Sequence, residues 1–435
     1  MSHRYPAGAL ALALLCPMIA TAASDEELAR IRNEIRELRQ GYEARLQALE
    51  QRLKDAEARA VPAPRVAPTS TPAASAAPMT PGPSNAFNPA ISAILTGTYA
   101  HLKRDPAAFR IPGFAPEGEL GPGRRSFSLG ESELVFSASV DPHFDATLIA
   151  AITPEDAVEV EEAYGRWLGA PLGLVPKFGR FRSGIGYLNE QHAHAQDFVD
   201  PPLPYQAFLG NHYTTDGAQV RWVAPTETFI ELGAEAGNGD AYPGAERTRN
   251  GMGASAVFAH AGGDVGASHS WRAGLSHLRT RSSLEGHERT IVTDDGLVTV
   301  FDFSGAPASR LTIADFVWKY APQGISPGTS FKLQGEYFAG RIREAARQSG
   351  WYLQGVWQFL PQWRAGLRHD RLDAGGIDDV AHAPRRSSAM VEFNPSEFSR
   401  WRLQFSRAEL APGESDNQWF LQYTLSLGAH GAHRY

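Results

Sequence analysis

The sequence predicts an all-β protein, a transmembrane antiparallel β-barrel of about 16 strands, preceded by an N-terminal coiled-coil helix. Three observations carry that prediction. From about Asn88 onward apolar residues recur at every second position, in segments of ~9 to 12 residues where soluble strands usually run ~5 or 6. Aromatic residues bracket the apolar parity, as in Trp351, Trp357 and Phe359 or Phe316, Trp318 and Tyr320, which suits girdles at two membrane interfaces. Connections alternate between tight turns (Pro225-Thr226, Pro361-Gln362, Pro395-Ser396) and long stretches near 183–214, 238–250, 281–308 and 373–384. Short turns at one end and long loops at the other are the outer-membrane barrel pattern.

Composition narrows the field in the same direction. Of 435 residues, 43% are hydrophobic, yet no run of ~18 apolar residues exists beyond the N-terminus, which excludes a helical membrane protein. A net charge of −7 speaks against a nucleic-acid partner. The 41 bases are five Lys and 36 Arg, a skew toward forked, fixed contacts.

The elements follow in order. Residues 1–23 read as a secretory signal peptide, with an apolar core from Ala7 to Ala20 and small residues before Asp25. The single Cys16 lies within it, so disulfides and thiolate metal sites are not expected in the mature chain. Residues 24–60 switch to helical spacing: Leu28, Ile31, Ile35, Leu38 and Tyr42, then Leu46, Leu49 and Leu53, with Glu and Arg between. So narrow an apolar seam needs another helix over it, which predicts a periplasmic coiled coil and a homo-oligomer; the heptads do not determine the number, and a trimer is the favoured expectation. Residues 61–87 form a linker, with seven prolines between 61 and 84. Residues 88–435 are the barrel. Its outer face is expected to meet outer-membrane lipid, and the C-terminal Tyr435 to be presented to the barrel assembly machinery of a Gram-negative cell.

If the apolar parity faces lipid, the other parity lines the lumen. The earlier strands offer Glu131, Glu133, Glu159, Glu161 and Glu231, and the later ones Arg272, Lys332, Arg364, Arg368 and Arg402. Acids on one half of the wall and bases on the other would set a transverse field across a water-filled, pore-lining surface. The alternative is that these charges pair and close the lumen. The reading is a porin-like channel for passive uptake of small hydrophilic solutes.

The stretch from Arg182 to Tyr213 carries Tyr187, Phe198, Tyr205 and Phe208 and is too apolar to sit in solvent, so it is expected to fold back as a constriction or lid. It also holds His192 and His194 two residues apart, with Asp197 and His212. Imidazoles at that spacing can share one Zn²⁺ with a carboxylate completing the set, although loop histidines more often only pack. No resident cofactor is expected. Nucleophile elbows, zinc-protease helices and phosphate loops are absent, so the chain does not read as an enzyme.

Two segments, GYLNEQHAHAQDFVDPPLPYQAFLGNHYTTDGAQVRWVAPT (186–226) and NQWFLQYTLSLGAHGAHRY (417–435), resemble a proteobacterial family of zinc-regulated outer-membrane proteins, often labelled TonB-dependent receptors. That resemblance implies expression under zinc limitation and uptake of zinc or its complexes. It singles out His192, His194 and Asp197, with His430 and His433 further along. The receptor label requires a folded plug and a barrel of ~22 strands, whereas here signal, helix and linker are all that precede the barrel. A receptor, and a barrel that merely anchors a periplasm-spanning coiled coil, remain the competing readings.

Overall fold

Alternation at period two puts one side chain outward and the next inward, and where the strands close into a ring the two parities become two surfaces. The computed structural model describes residues 89–428, except 115–119, 154–156, 245–249, 281–287, 293–297, 303–309, 325–327, 342–346 and 376–381. The expected signal peptide, coiled coil and linker lie outside the described residues, as do His430, His433 and Tyr435.

The barrel strands are β1 (Ala90–Leu102), β2 in two pieces (Ser126–Leu129 and Ser132–Ser139), β3 (Phe144–Ile152), β4 (Val158–Trp167), β5 (Leu174–Arg182), β6 (Thr214–Val223), β7 (Phe229–Gly237) and β8 (Ala254–Val265). They continue as β9 (His269–Thr280), β10 (Arg310–Tyr320), β11 (Ser330–Arg341), β12 (Arg347–Leu360), β13 (Trp363–Asp373), β14 (Arg385–Ser396), β15 (Ser399–Glu409) and β16 (Asp416–Gly428). Each pairs antiparallel with its neighbours in chain order, and β1 pairs with β16 from Ser92↔Gly428 to Leu102↔Gln418, which closes the ring. Both pieces of β2 pair with β1, so the ring has sixteen strands. That is not the ~22-stranded barrel the receptor reading would need.

Burial is inverted relative to a soluble protein. On β12 the outward Trp351, Leu353 and Trp357 are 37–52% exposed, while the inward Tyr352, Gln354 and Val356 are 1–4% exposed. Outward rings meet across strands in tilted pairs at the tight-turn end, with Trp363–Phe393 centroids at 4.7 Å and Trp401–Tyr423 at 4.3 Å. A second set, including Phe405–Trp419 at 4.7 Å, lies toward the long loops. Apolar surface turned outward between aromatic rows is stable only against lipid.

Two local departures from the alternation matter. On β4, Ile149 of β3 pairs with Glu162 but Ala150 pairs with Val160, so Glu161 is a bulged residue and two consecutive glutamates reach the interior. Between β9 and β10, where the sequence suggested a plain long connection, Glu288–Val292 and Val298–Asp302 form a hairpin of their own.

Candidate functional site

The connection between β5 and β6 does not project outward. Gly186 turns its chain at φ +69°, a conformation that disfavours side chains with a Cβ, and a Cβ there would also meet the Glu336 carboxylate and the Tyr205 hydroxyl. Asn189 ties the two stems together: its amide nitrogen donates to the carbonyls of Ser183 (2.8 Å) and Tyr213 (2.9 Å), and its oxygen accepts from the Tyr213 N–H (2.7 Å). Ile185, Leu188, Phe198 and the short helix α1 (Leu203–Leu209) are buried inside the barrel.

The loop docks by charge complementarity at two opposed places. Its first half brings histidines to the acids of β2 and β4. His192 Nδ1 lies 2.7 Å from Glu161 and 3.3 Å from Glu133, and its Nε2 lies 3.1 Å from Glu162. His194 Nδ1 lies 2.7 Å from Glu133. Burial and Arg182 favour a neutral His192 ring, but carboxylates on both nitrogens prevail and raise its pKa to about 9. It is therefore an imidazolium at neutral pH. His212 stands beside the same group, where burial and Arg182 push its pKa down to about 3. Arg182, 3% exposed, donates to Glu161 at 2.8 Å and to the Gln191 carbonyl at 2.9 Å.

The second half brings carboxylates to the bases of β11–β15. Asp197 lies 2.5 Å from Lys332 and 3.5 Å from Arg364. Asp200 takes Arg386 at 2.5 Å, Arg368 at 3.0 Å and the Gln404 amide at 2.7 Å. Arg402 and Arg400 donate to the carbonyls of Gln196 (2.8 Å) and His194 (2.7 Å). Farther along, Glu336 accepts from the hydroxyls of Tyr205 (3.0 Å) and Tyr352 (2.6 Å) and the backbone N–H of Leu188 (3.1 Å).

These contacts rearrange the residues picked out by the sequence. Glu133, Arg368 and Arg402 are 0–3% exposed, so they anchor the loop and do not face open water. Glu131 and Glu161 are half-buried members of the same acid group, whereas Glu159 is exposed. Glu231 pairs with His260 at 2.8 Å and with Arg221 at 3.6 Å. Glu190 on the loop also pairs with Arg221. Lys332 and Arg364 retain 20–21% exposure. Of the expected metal ligands His192, His194, Asp197 and His212, Asp197 is on the basic side of the loop and apart from the histidines. What comes together instead is Glu133, Glu161 and His192, whose ligand atoms lie within 4.8 Å of one another.

Among the described residues, three inward bases toward the tight-turn end have no carboxylate within ion-pair distance: Lys177, Arg272 and Lys319. Lys177 lies over the ring of Tyr164 at 4.5 Å, and Arg272 over that of Tyr187 at 5.3 Å. Sequence reasoning missed Glu162, Arg182, Arg386 and Glu392. Arg386 and Glu392 share the inward parity of β14 and were open to the same test as Arg364. Glu162 was hidden by the bulge, and Arg182 by its place at a strand end.

A closed sixteen-stranded barrel, apolar outside and polar inside, with one loop docked across its interior, has the architecture of the outer-membrane porins. Among solved structures it is similar to the loop L8 deletion mutant of OmpT, an outer-membrane protein of Vibrio cholerae (TM-score 0.52, 11% identity, 79% of this chain and 100% of that one). It is also similar to in-vitro folded OmpT in a trimer form (0.51, 10% identity, 78% and 99%) and to an anion-selective porin from Comamonas acidovorans (0.50, 10% identity, 78% and 99%). No family model matches the sequence. The chain belongs to the same family as an uncharacterized protein of Aquifex aeolicus (strain VF5), with 32% identity over 399 residues and 80% of each chain covered.

Proposed function

We propose that the protein is a passive outer-membrane channel for small hydrophilic solutes, working as a homo-oligomer, with the β5–β6 loop as its constriction and with anions preferred. The observation that carries this reading is the set Lys177, Arg272 and Lys319: inward, half-buried, and without carboxylate partners among the described residues. Unneutralised bases around a low-dielectric passage raise the local concentration of anions and repel cations. Reversal potentials in a KCl gradient test it. Wild-type protein should favour chloride, and Lys177→Gln/Arg272→Gln/Lys319→Gln should bring selectivity toward neutrality. Absence of conductance from folded wild-type protein in a planar bilayer would sink the channel reading.

The Glu133–Glu161–His192 group favours a second reading, in which zinc is the cargo. Two carboxylates and one imidazole leave a fourth position open, a donor set zinc accepts, though His192 would first have to release its proton. Calorimetric zinc titration of wild type against His192→Ala/His194→Ala decides this. Equal affinity in the two proteins removes zinc from the site.

A further inference from the structure

At the long-loop end of the outer face, arginines stand opposite arginines. Arg279 of β9 pairs in register with Arg310 of β10, Arg310 with Arg341 of β11, and Arg341 with Arg347 of β12. Arg371 of β13 likewise faces Arg385 of β14. All six side chains are exposed and share the outward parity of the aromatic and aliphatic residues below them. Directly opposed side chains on neighbouring strands have Cβ atoms only ~4.5–5.5 Å apart, and like charges in that relation destabilise a sheet. Four such pairings along one arc call for a counter-anion. The carboxylate that pairs with this arc among the described residues is Glu409, which lies 2.5 Å from Arg385 and 3.0 Å from Arg407.

The height of the arc identifies that anion. Each of these arginines lies eight or ten residues along its strand from an outward aromatic at the tight-turn end: Trp271, Trp318, Phe331, Trp357, Trp363 or Phe393. At ~3.4 Å per residue and a tilt of ~45°, that is a vertical separation of ~19–24 Å, against an apolar band of ~25 Å. The guanidinium groups therefore stand at the outer edge of the hydrocarbon, where lipid phosphates lie. Arginine's planar fork accepts phosphate oxygens in pairs, so one phosphate can bridge two opposed arginines. On the opposite arc the chain supplies the counter-charge itself. At its long-loop end the outward Arg180 of β5 is held by the chain's own Asp216 through two bonds, of 2.7 and 3.0 Å.

We propose that the arc from β9 to β14 is a binding surface for the phosphate groups of phosphorylated glycolipid in the outer leaflet. Lipid A with both phosphates is the occupant, its acyl chains on the apolar face below and its phosphates between opposed arginines.

The test is native mass spectrometry of full-length, detergent-solubilised protein titrated with lipid A, its dephosphorylated form, or phosphatidylglycerol. Wild type should bind bis-phosphorylated lipid A at least ~10-fold more tightly than either other lipid. Arg310→Gln/Arg341→Gln/Arg347→Gln should lose that preference, while Arg180→Gln/Asp216→Asn should keep it. Thermal melting gives an independent readout. In zwitterionic detergent without lipid the triple variant should melt above wild type because repulsion is relieved, and lipid A should raise the melting temperature of wild type alone. Equal lipid A binding by wild type and triple variant would overturn the proposal, as would equal binding of the dephosphorylated lipid. Phosphatidylglycerol binding as tightly as lipid A would overturn the assignment to lipid A, and a triple variant that melts lower without lipid would refute the repulsion argument.

Discussion

Replacing Asp200 by Asn keeps the side-chain volume but removes the charge on which two arginines of the barrel wall converge. Asp200 is 6% exposed, with Arg386 and Arg368 at 2.5 and 3.0 Å. Removing one partner of a buried ion pair costs ~3–5 kcal/mol. The low end applies here, because Asp370 still holds Arg386 at 2.9 Å and Arg368 at 3.1 Å. At ~1.4 kcal/mol per decade, a loss of about 3 kcal/mol raises the population of undocked loop ~100-fold. Asp200 belongs to the loop and to no strand, so the ring itself should still close. Single-channel recording should show the high-conductance state occupied ~100-fold more often than in wild type, and heat-modifiable gel migration would verify that the barrel is folded. Folded protein with unchanged open-state occupancy would refute the idea that this charge cluster holds the loop.

Three further outcomes follow from the same contacts. Glu336→Ala strands the hydroxyls of Tyr205 and Tyr352 and the N–H of Tyr187 without their acceptor, a loss of about 3 kcal/mol or more, and limited proteolysis should then cut within residues 183–213 faster than in wild type. Gly340→Val places a Cβ 2.7 Å from the Phe208 ring, so α1 should shift; a cysteine label at position 206 would then become reactive, whereas continued protection would show that the wall yields instead. His192 has its pKa raised from the ordinary 6.5 to about 9, so the stability it gives the docked loop is complete below pH ~6.5 and lost as pH rises through about 9. Open-state occupancy should therefore climb between pH 7 and ~10 and become less pH-dependent in His192→Gln.

The barrel was legible because its code is local. Trp351, Leu353 and Trp357 declare one face and Gln354 and Gln358 the other, whatever the neighbouring strands do. The same counting reaches Arg402 and Glu133 but cannot say whether water or protein covers them. That depends on where a loop far off in sequence comes to rest: Glu133 meets His194 across 61 residues, and Arg402 donates to the Gln196 carbonyl across 206. The aromatics of the loop gave a reason for it to turn inward, yet the placement of Asp197 with Lys332, apart from His192, needed the closed ring. Alternation also fails at a bulge, which is why Glu162 escaped a reading that found Glu161. Opposed arginines such as Arg310 and Arg341 appear unremarkable in sequence because register, unlike parity, is a property of two strands.

The docked loop also bears on the order in which the molecule is built. Its histidines need β2 and β4, and its carboxylates need β11–β15, so its last contacts wait for the last third of the chain. Until the strands that carry Lys332, Arg368 and Arg386 are in place, half of those partners are missing. The loop can make its full set of contacts only where β2 and β4 face β11–β15 across one lumen, so its docking reports that the ring is complete.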